Sequence, residues 1–171
     1  MGSADASVRR RQVVTRRITV PGCLELATAQ FNEGLFFECH ETLEDVWRHE
    51  PGPLGELYKG IIQVAAAFVH RGRGKVKGAE SLFASALAYL APFRADGAMG
   101  FDVEALCLVA ERARNALRAN EPRGSEPVAG SAETPVLRWE ASGLASEAVR
   151  WGAWGFDERG DPMEMEITAI E

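Results

Sequence analysis

The chain has 171 residues, of which 46% are hydrophobic, and its formal net charge is −6. This size and composition predict one globular domain with a substantial core, plus extensions around it. The sequence has no uninterrupted apolar run of about 18 residues, which excludes a conventional transmembrane helix. The negative charge argues against a general nucleic-acid-binding surface. We therefore expect no membrane partner and disfavour nucleic acid as a ligand.

Residues 1–20 form a basic arm that contains a cluster of arginines. The arm lacks the apolar segment of a secretory signal, so we expect a cytoplasmic protein. We predict an arm that is partly disordered and solvated, in preference to one that binds phosphate or anionic lipid. Its apolar residues are predicted to add a short extended segment that docks on the core: Val13, Val14, Ile18 and Val20.

The three cysteines, Cys23, Cys39 and Cys107, are odd in number and never form a CxxC pair. This pattern does not fit a disulfide framework or a zinc ribbon. We predict reduced and mostly buried thiols, which again suits the cytoplasm.

Residues 21–120 are predicted to form a small all-α bundle of about five helices, because apolar residues recur there at helical spacing. The third helix has an almost entirely apolar centre over residues 61–69, so we expect it to be the central one. Asp102 is a predicted N-cap of the fifth helix. The predicted helices cover residues 23–32, 35–49, 54–71, 76–93 and 103–119.

Residues 121–135 have the composition of a linker, and residues 136–171 form a Trp-rich C-terminal extension. The segment MEMEITAI alternates apolar and polar residues, which predicts a strand, and we expect it to form a β-hairpin with VRWGAWGF. The aromatic side chains are predicted to pack on the helices or on a second subunit, which favours a homodimer. They are Trp139, Trp151, Trp154 and Phe156.

The segment FNEGLFFECHETLEDVW, residues 31–47, is the most distinctive part of the sequence. As a helix, it places Phe36, His40, Leu43, Glu44 and Trp47 on one stripe. The apolar members of this stripe predict that it faces the core, so His40 and Glu44 would turn inward together. Buried polar groups need partners. Those partners could be each other, a neighbouring helix, water or a metal.

The chain resembles family 309 of the domains of unknown function. The resemblance rests on F-N-x-G-x-F-F-E-x-H-E-x-L-E-x-x-W at residues 31–47, K-G-I-I-Q at 59–63, an Ala-rich run ending at His70, and G-A-x-x-L at 78–82. It implies an all-α bundle and a metal-dependent hydrolase, the label often given to the family. The motif positions that it marks as site residues are Glu38, His40, Glu41, Glu44, Trp47 and Gln63.

The HExxE spacing from His40 to Glu44 resembles the HExxH zinc motif, in which residues one turn apart share a metal. We predict His40, Glu44 and His70 as ligands of a divalent metal, which could be Zn, Mn, Fe or Ni. Glu41 is the candidate catalytic base. Glu38, Trp47 and Gln63 are predicted to bind a ligand or to support the metal ligands.

Other functions stay open at this level, including whether the chain is an enzyme at all. His40 could instead bond Glu44 or a backbone carbonyl and so fix the helix packing, which would suit a structural or interaction module whose Trp-rich extension binds a partner. A weaker alternative is a nucleic-acid accessory that uses the basic arm and the RGRGK turn at residues 71–75. A small-molecule ligand is compatible with the first two functions, and the sequence does not identify it.

Overall fold

A computed structural model describes residues 12–119 and 135–170 of the chain. Within these ranges the predicted fold class is confirmed, because the structure is a bundle of α-helices with a small antiparallel sheet. The predictions for residues 1–11 of the arm and 120–134 of the linker lie outside the described residues. The elements are β1 (Val13–Ile18), α1 (Val20–Asn32), α2 (Phe36–Trp47), α3 (Leu54–Gly72), α4 (Val76–Leu90), α5 (Val103–Arg118), α6 (Leu144–Trp151) and β2 (Met165–Ile170).

Helices α1 to α5 pack in chain order, each of the first four against the next one, and α3 lies between α2 and α4. The apolar run of α3 is buried, as the prediction of a central helix requires. Gly60 allows close approach to α4, because a Cβ added there would lie 2.7 Å from Leu90. A short 3-10 helix, Ala91–Phe93, ends α4.

Side-chain caps fix the starts of α1 and α5. The Thr19 hydroxyl accepts a hydrogen bond from the Gly22 amide at 3.2 Å, and Pro21 lies in the first turn of α1. This cap starts α1 at Val20, three residues before the predicted start. The Asp102 carboxylate accepts from the Ala105 amide at 3.0 Å, which confirms Asp102 as the N-cap of α5.

The strand predicted in MEMEITAI forms as β2, but its partner is β1. The two strands are antiparallel, with Val13 opposite Ile170 and Ile18 opposite Met165. The segment VRWGAWGF, expected to be the other strand of the hairpin, instead begins inside helix α6, which ends at Trp151. Leu144 and Ala148, one turn apart, bury one side of α6, and glycines with positive φ flank it at positions 143 and 152. The extended segment predicted in the arm is therefore the true partner strand.

The C-terminal extension packs against its own helices. Trp139 donates its indole N–H to the Met99 carbonyl at 2.9 Å, and the Trp151 ring lies 5.6 Å from the Phe93 ring. The Asn32 side chain holds Leu137 by two hydrogen bonds, of 2.8 and 3.0 Å. The aromatic residues that suggested a homodimer thus find partners within the chain, and the homodimer stays a prediction. No helix in the described ranges is long and apolar enough to cross a membrane.

Candidate functional site

Helix α2 presents a slightly different side to the core from the predicted one. Its buried residues are Cys39, Leu43 and Val46, which also repeat at helical spacing. Only Leu43 of the predicted inward stripe belongs to this set. The other members are partly buried and lie at the edge of the buried side: Phe36, His40, Glu44 and Trp47. The side chains of His40 and Glu44 are 27% and 24% exposed. The site residues are therefore half-buried, because two apolar side chains compete more strongly for the core than a histidine and a carboxylate.

His40, Glu44 and Arg48 form a chain of contacts along one side of α2. The His40 Nε2 atom lies 3.2 Å from Glu44 Oε1, and an Arg48 guanidinium nitrogen donates to the other carboxylate oxygen at 2.9 Å. The Phe37 ring stacks beside the imidazole, with ring centroids 6.1 Å apart. The second imidazole nitrogen, Nδ1, is buried and has no hydrogen-bond partner among the described residues.

Two contacts fix the register between α2 and α3. The rings of Phe36 and Phe68 stack at 4.9 Å, and the Lys59 ammonium lies 5.9 Å from the centre of the Trp47 ring. The helices are therefore antiparallel, and their middle turns lie at the same level. Gln63 of α3 lies at this level of the bundle, one helical turn after Lys59 and on the same side of α3. We call the surface formed by His40, Glu44, Trp47, Lys59 and Gln63 the polar seam.

Gln63 carries a second unpartnered atom at the polar seam. Its amide oxygen Oε1 is buried and accepts no hydrogen bond from the described part of the chain. The large majority of buried side-chain polar atoms in proteins have a hydrogen-bond partner. Two of the five unpartnered buried side-chain atoms in the described ranges belong to the seam, on neighbouring helices, and this pair makes the seam a candidate binding site.

The other predicted site residues lie apart from the seam. His70 is at the far end of α3, where its Nδ1 is 3.0 Å from the Ala66 carbonyl oxygen and its ring lies against Gly78 of α4. Glu38 and Glu41 are exposed, and neither makes an ion pair within residues 12–119 or 135–170. Trp47, by contrast, belongs to the seam and is partly buried against the core.

The residues present at the seam do not by themselves complete a metal site. The described ranges contain no group of three or more His, Cys, Asp or Glu side chains positioned to hold one ion. His40 and Glu44 supply two donors, and Arg48 occupies one oxygen of that carboxylate. A catalytic zinc site uses three protein ligands and an open position. The predicted set of His40, Glu44 and His70 is therefore not brought together.

Two residues that the sequence interpretation did not select have distinctive surroundings. Lys59 lies between two aromatic rings, 5.9 Å from Trp47 and 4.8 Å from Tyr89. Glu50 is only 8% exposed, and its carboxylate accepts from the amides of Gly52 at 3.1 Å and Trp154 at 2.8 Å. The K-G-I-I-Q motif contains Lys59 and could have drawn attention to it. Only the folded structure reveals the role of Glu50.

Tyr58 is fully buried beside this carboxylate, and its hydroxyl has no hydrogen-bond partner in the described ranges. Burial and, secondarily, the charge of Glu50 raise the pKa of the Tyr58 hydroxyl well above its usual range. Tyr58 therefore stays protonated in the folded protein.

Comparison with known proteins identifies the segment that carries the seam. Residues 24–82 match the family described as Domain of unknown function (DUF309). The uncharacterized protein YpuF of Bacillus subtilis (strain 168) is 39% identical over 69 residues, which is 39% of this chain and 40% of YpuF. The chain thus matches less than half of that relative's length. No solved structure matches the chain. The segment over residues 24–82, from most of α1 to the first half of α4, therefore resembles the DUF309 family, as its motifs predicted.

Proposed function

We propose that this protein binds a small polar ligand at the polar seam between α2 and α3. The observation that supports this proposal is the pair of buried, unpartnered atoms, His40 Nδ1 and Gln63 Oε1, on facing helices. Each unpaired buried polar atom costs about 1–3 kcal/mol. A ligand that bonds both atoms would recover this free energy.

The chemistry of the two atoms specifies what the ligand must supply. The His40 Nε2 atom lies 3.2 Å from Glu44 Oε1, and in the tautomer that carries its proton on Nε2 the other nitrogen, Nδ1, is an acceptor. Gln63 Oε1 is also an acceptor. The ligand must therefore bring hydrogen-bond donors, such as hydroxyl or amino groups.

A test on Gln63 separates ligand binding from a purely structural role. We expect Gln63→Leu to raise the free energy of unfolding by about 1 kcal/mol, because the change removes a buried acceptor that lacks a partner. The measurement is urea denaturation. Gln30→Leu is the matched control, since Gln30 accepts a 2.8 Å hydrogen bond from the Thr42 hydroxyl and its loss should be destabilising. If Gln63→Leu also destabilises the protein, the polar seam serves packing and the binding proposal fails.

The divalent metal and the hydrolase activity predicted from the sequence compete with this proposal. Two donors on one helix are too few for a catalytic site, so we expect tag-free protein purified without chelator to hold well under one metal ion per chain. Elemental analysis of the wild type and His40→Ala tests this expectation. A stoichiometric metal that is lost in His40→Ala would favour the metal site over our proposal.

The second candidate is a non-enzymatic structural or interaction module. Its support is the attachment of the C-terminal extension to the bundle by Glu50 and Asn32. The nucleic-acid alternative has less support. Arg16 of the arm pairs with Asp45 at 2.5 Å, and Arg17 lies 3.9 Å from Glu164, so both face carboxylates.

A further inference from the structure

Lys59 is a half-buried cation without an acidic partner. No carboxylate within the described ranges lies within 4.0 Å of its ammonium group. The acidic residues of α2 that come nearest in the helix register are already engaged, Glu44 by Arg48 and Asp45 by Arg16. The positive charge of Lys59 is therefore not balanced by an ion pair.

Two aromatic rings hold the ammonium in place. It lies 4.8 Å from the Tyr89 ring of α4 and 5.9 Å from the Trp47 ring of α2. Cation–π contacts of this kind contribute about 0.5–2 kcal/mol. They restrict the long lysine side chain and keep its charge at the level where α2, α3 and α4 meet. Because the fold already restricts the Lys59 side chain, binding an anion requires little further loss of its conformational entropy.

Lys59 also shares a face of α3 with Gln63. The two residues are one helical turn apart, and Ala66 and His70 continue the same half-buried stripe. A stripe of the same spacing on α4 consists of Gly78, Leu82, Ser85 and Tyr89, all half-buried. Ala66, Gly78 and Ser85 are the small residues of these two stripes, and Tyr89 is the one that contacts Lys59.

We propose that the ligand of the polar seam is an oxyanion, with its carboxylate or phosphate group bound by the Lys59 ammonium. Its hydroxyl or amino groups then donate to His40 Nδ1 and Gln63 Oε1. This inference rests on the proposed function and adds the charge of the ligand to it. An ammonium group suits phosphate and carboxylate alike, because it acts as a point charge with three donors.

Three probes that share one carbon skeleton test the inference. Glycerol, glycerate and glycerol 3-phosphate are each titrated into isotope-labelled protein at constant ionic strength, and the shifts of the Gln63 side-chain amide and the His40 ring are followed by NMR. Glycerol carries hydroxyl donors alone, whereas the other two probes add a carboxylate or a phosphate. We expect at least one anionic probe to bind at least tenfold more tightly than glycerol, because hydrogen bonds to charged groups are the stronger ones.

The variants are Lys59→Met, which keeps the length of the side chain and removes its charge, and Arg112→Met as the matched control. Arg112 is an exposed cation of α5. We expect Lys59→Met to weaken binding of the anionic probe about tenfold and Arg112→Met to leave it unchanged. Equal binding of glycerol and the anions, or anion binding that survives Lys59→Met, would overturn the oxyanion inference and keep the seam as a site. If no probe shifts Gln63 or His40, the oxyanion inference fails, and the stability of Gln63→Leu decides the proposed function separately.

Discussion

Cys39 shows how strongly its position in the fold controls a single side chain. It lies on the buried side of α2 and is fully buried, and burial raises the pKa of its thiol to about 12. Burial, with the charge of Asp45 opposed by Arg16, raises the pKa of Cys23 to about 11. Burial, opposed by Arg94, raises that of Cys107 to about 11. These thiols act as small apolar groups, as the sequence predicted, and not as nucleophiles.

The same shifts predict that the protein loses stability in alkali. In the unfolded chain the thiols ionise near pH 9, whereas in the folded protein they stay protonated until pH 11–12. Between these values the folded state binds more protons, so the free energy of unfolding should fall by about 1.4 kcal/mol per pH unit for each thiol. Guanidinium denaturation at pH 8 and pH 10.5 measures this change.

Cys39→Ala provides the control for that experiment. It should remove one thiol's share of the slope, while an exposed substitution such as Glu41→Gln should leave the slope as it is. A protein equally stable at both pH values would show that the thiols ionise freely when folded.

At the residue scale the sequence was most informative where the relevant contact was local. The contact between His40 and Glu44 follows from four-residue spacing in one helix, so the sequence was sufficient to predict it. How far the pair is buried depends on which apolar stripe of α2 packs against the core. That outcome depends on the shape of α1 and α3, which spacing does not encode.

Among the helices, the crossing of α3 and α4 offers a clear test of packing. Gly60→Ala places a Cβ 2.7 Å from two atoms of the buried Leu90 side chain. Overpacking costs about 1–3 kcal/mol, while alanine gains up to about 1 kcal/mol in helix propensity. We expect a net loss of about 1 kcal/mol by urea denaturation.

Gly72→Ala is the matched control, because it lies in the last turn of the same helix and a Cβ there meets nothing within 4 Å. It should be neutral or slightly stabilising. If both substitutions stabilise the protein, α3 and α4 do not approach as closely as the structure indicates.

Helix α6 shows the limit of periodicity as a guide to secondary structure. It has only eight residues, and its sequence LASEAVRW is followed by aromatic residues and glycines that also suit a strand. The apolar pair Leu144 and Ala148 gave a helical signal, but the two residues are too few to outweigh the aromatic pattern. The contact of Trp151 with Phe93 helps to hold the helix, and that contact lies far away in sequence.

For the whole molecule, Glu50 attaches the C-terminal extension to the bundle. Replacing it by alanine leaves the amides of Gly52 and Trp154 without their charged acceptor. We expect a loss of about 2–4 kcal/mol in the free energy of unfolding, since hydrogen bonds to charged groups contribute about 1.5–3 kcal/mol each. In Glu50→Ala, hydrogen exchange should accelerate relative to the wild type more in the extension than in α3.

The control for this prediction is Glu158→Ala, which removes an exposed carboxylate from the extension itself. It should change the free energy of unfolding by less than about 0.5 kcal/mol. Unchanged exchange in Glu50→Ala would mean that packing of the aromatic residues alone holds the extension.

Across the whole chain, the helical bundle could be predicted because its helices pack in sequence order. The sheet and the attachment of the extension could not. The pairing of Val13 with Ile170 joins segments at opposite ends of the described chain, and no local pattern specifies a partner at such a distance. The sequence predicted both extended segments and assigned β2 to the nearer partner.

This pairing also has a consequence for biosynthesis. Because β2 leaves the ribosome after helices α1–α6, β1 has no partner strand while these six helices are synthesised. The helices can dock in order as they emerge, since their contacts are between neighbours. The growing polypeptide thus carries an open strand edge that invites misassembly with other nascent chains. That exposure ends only when β2 has emerged and the sheet closes.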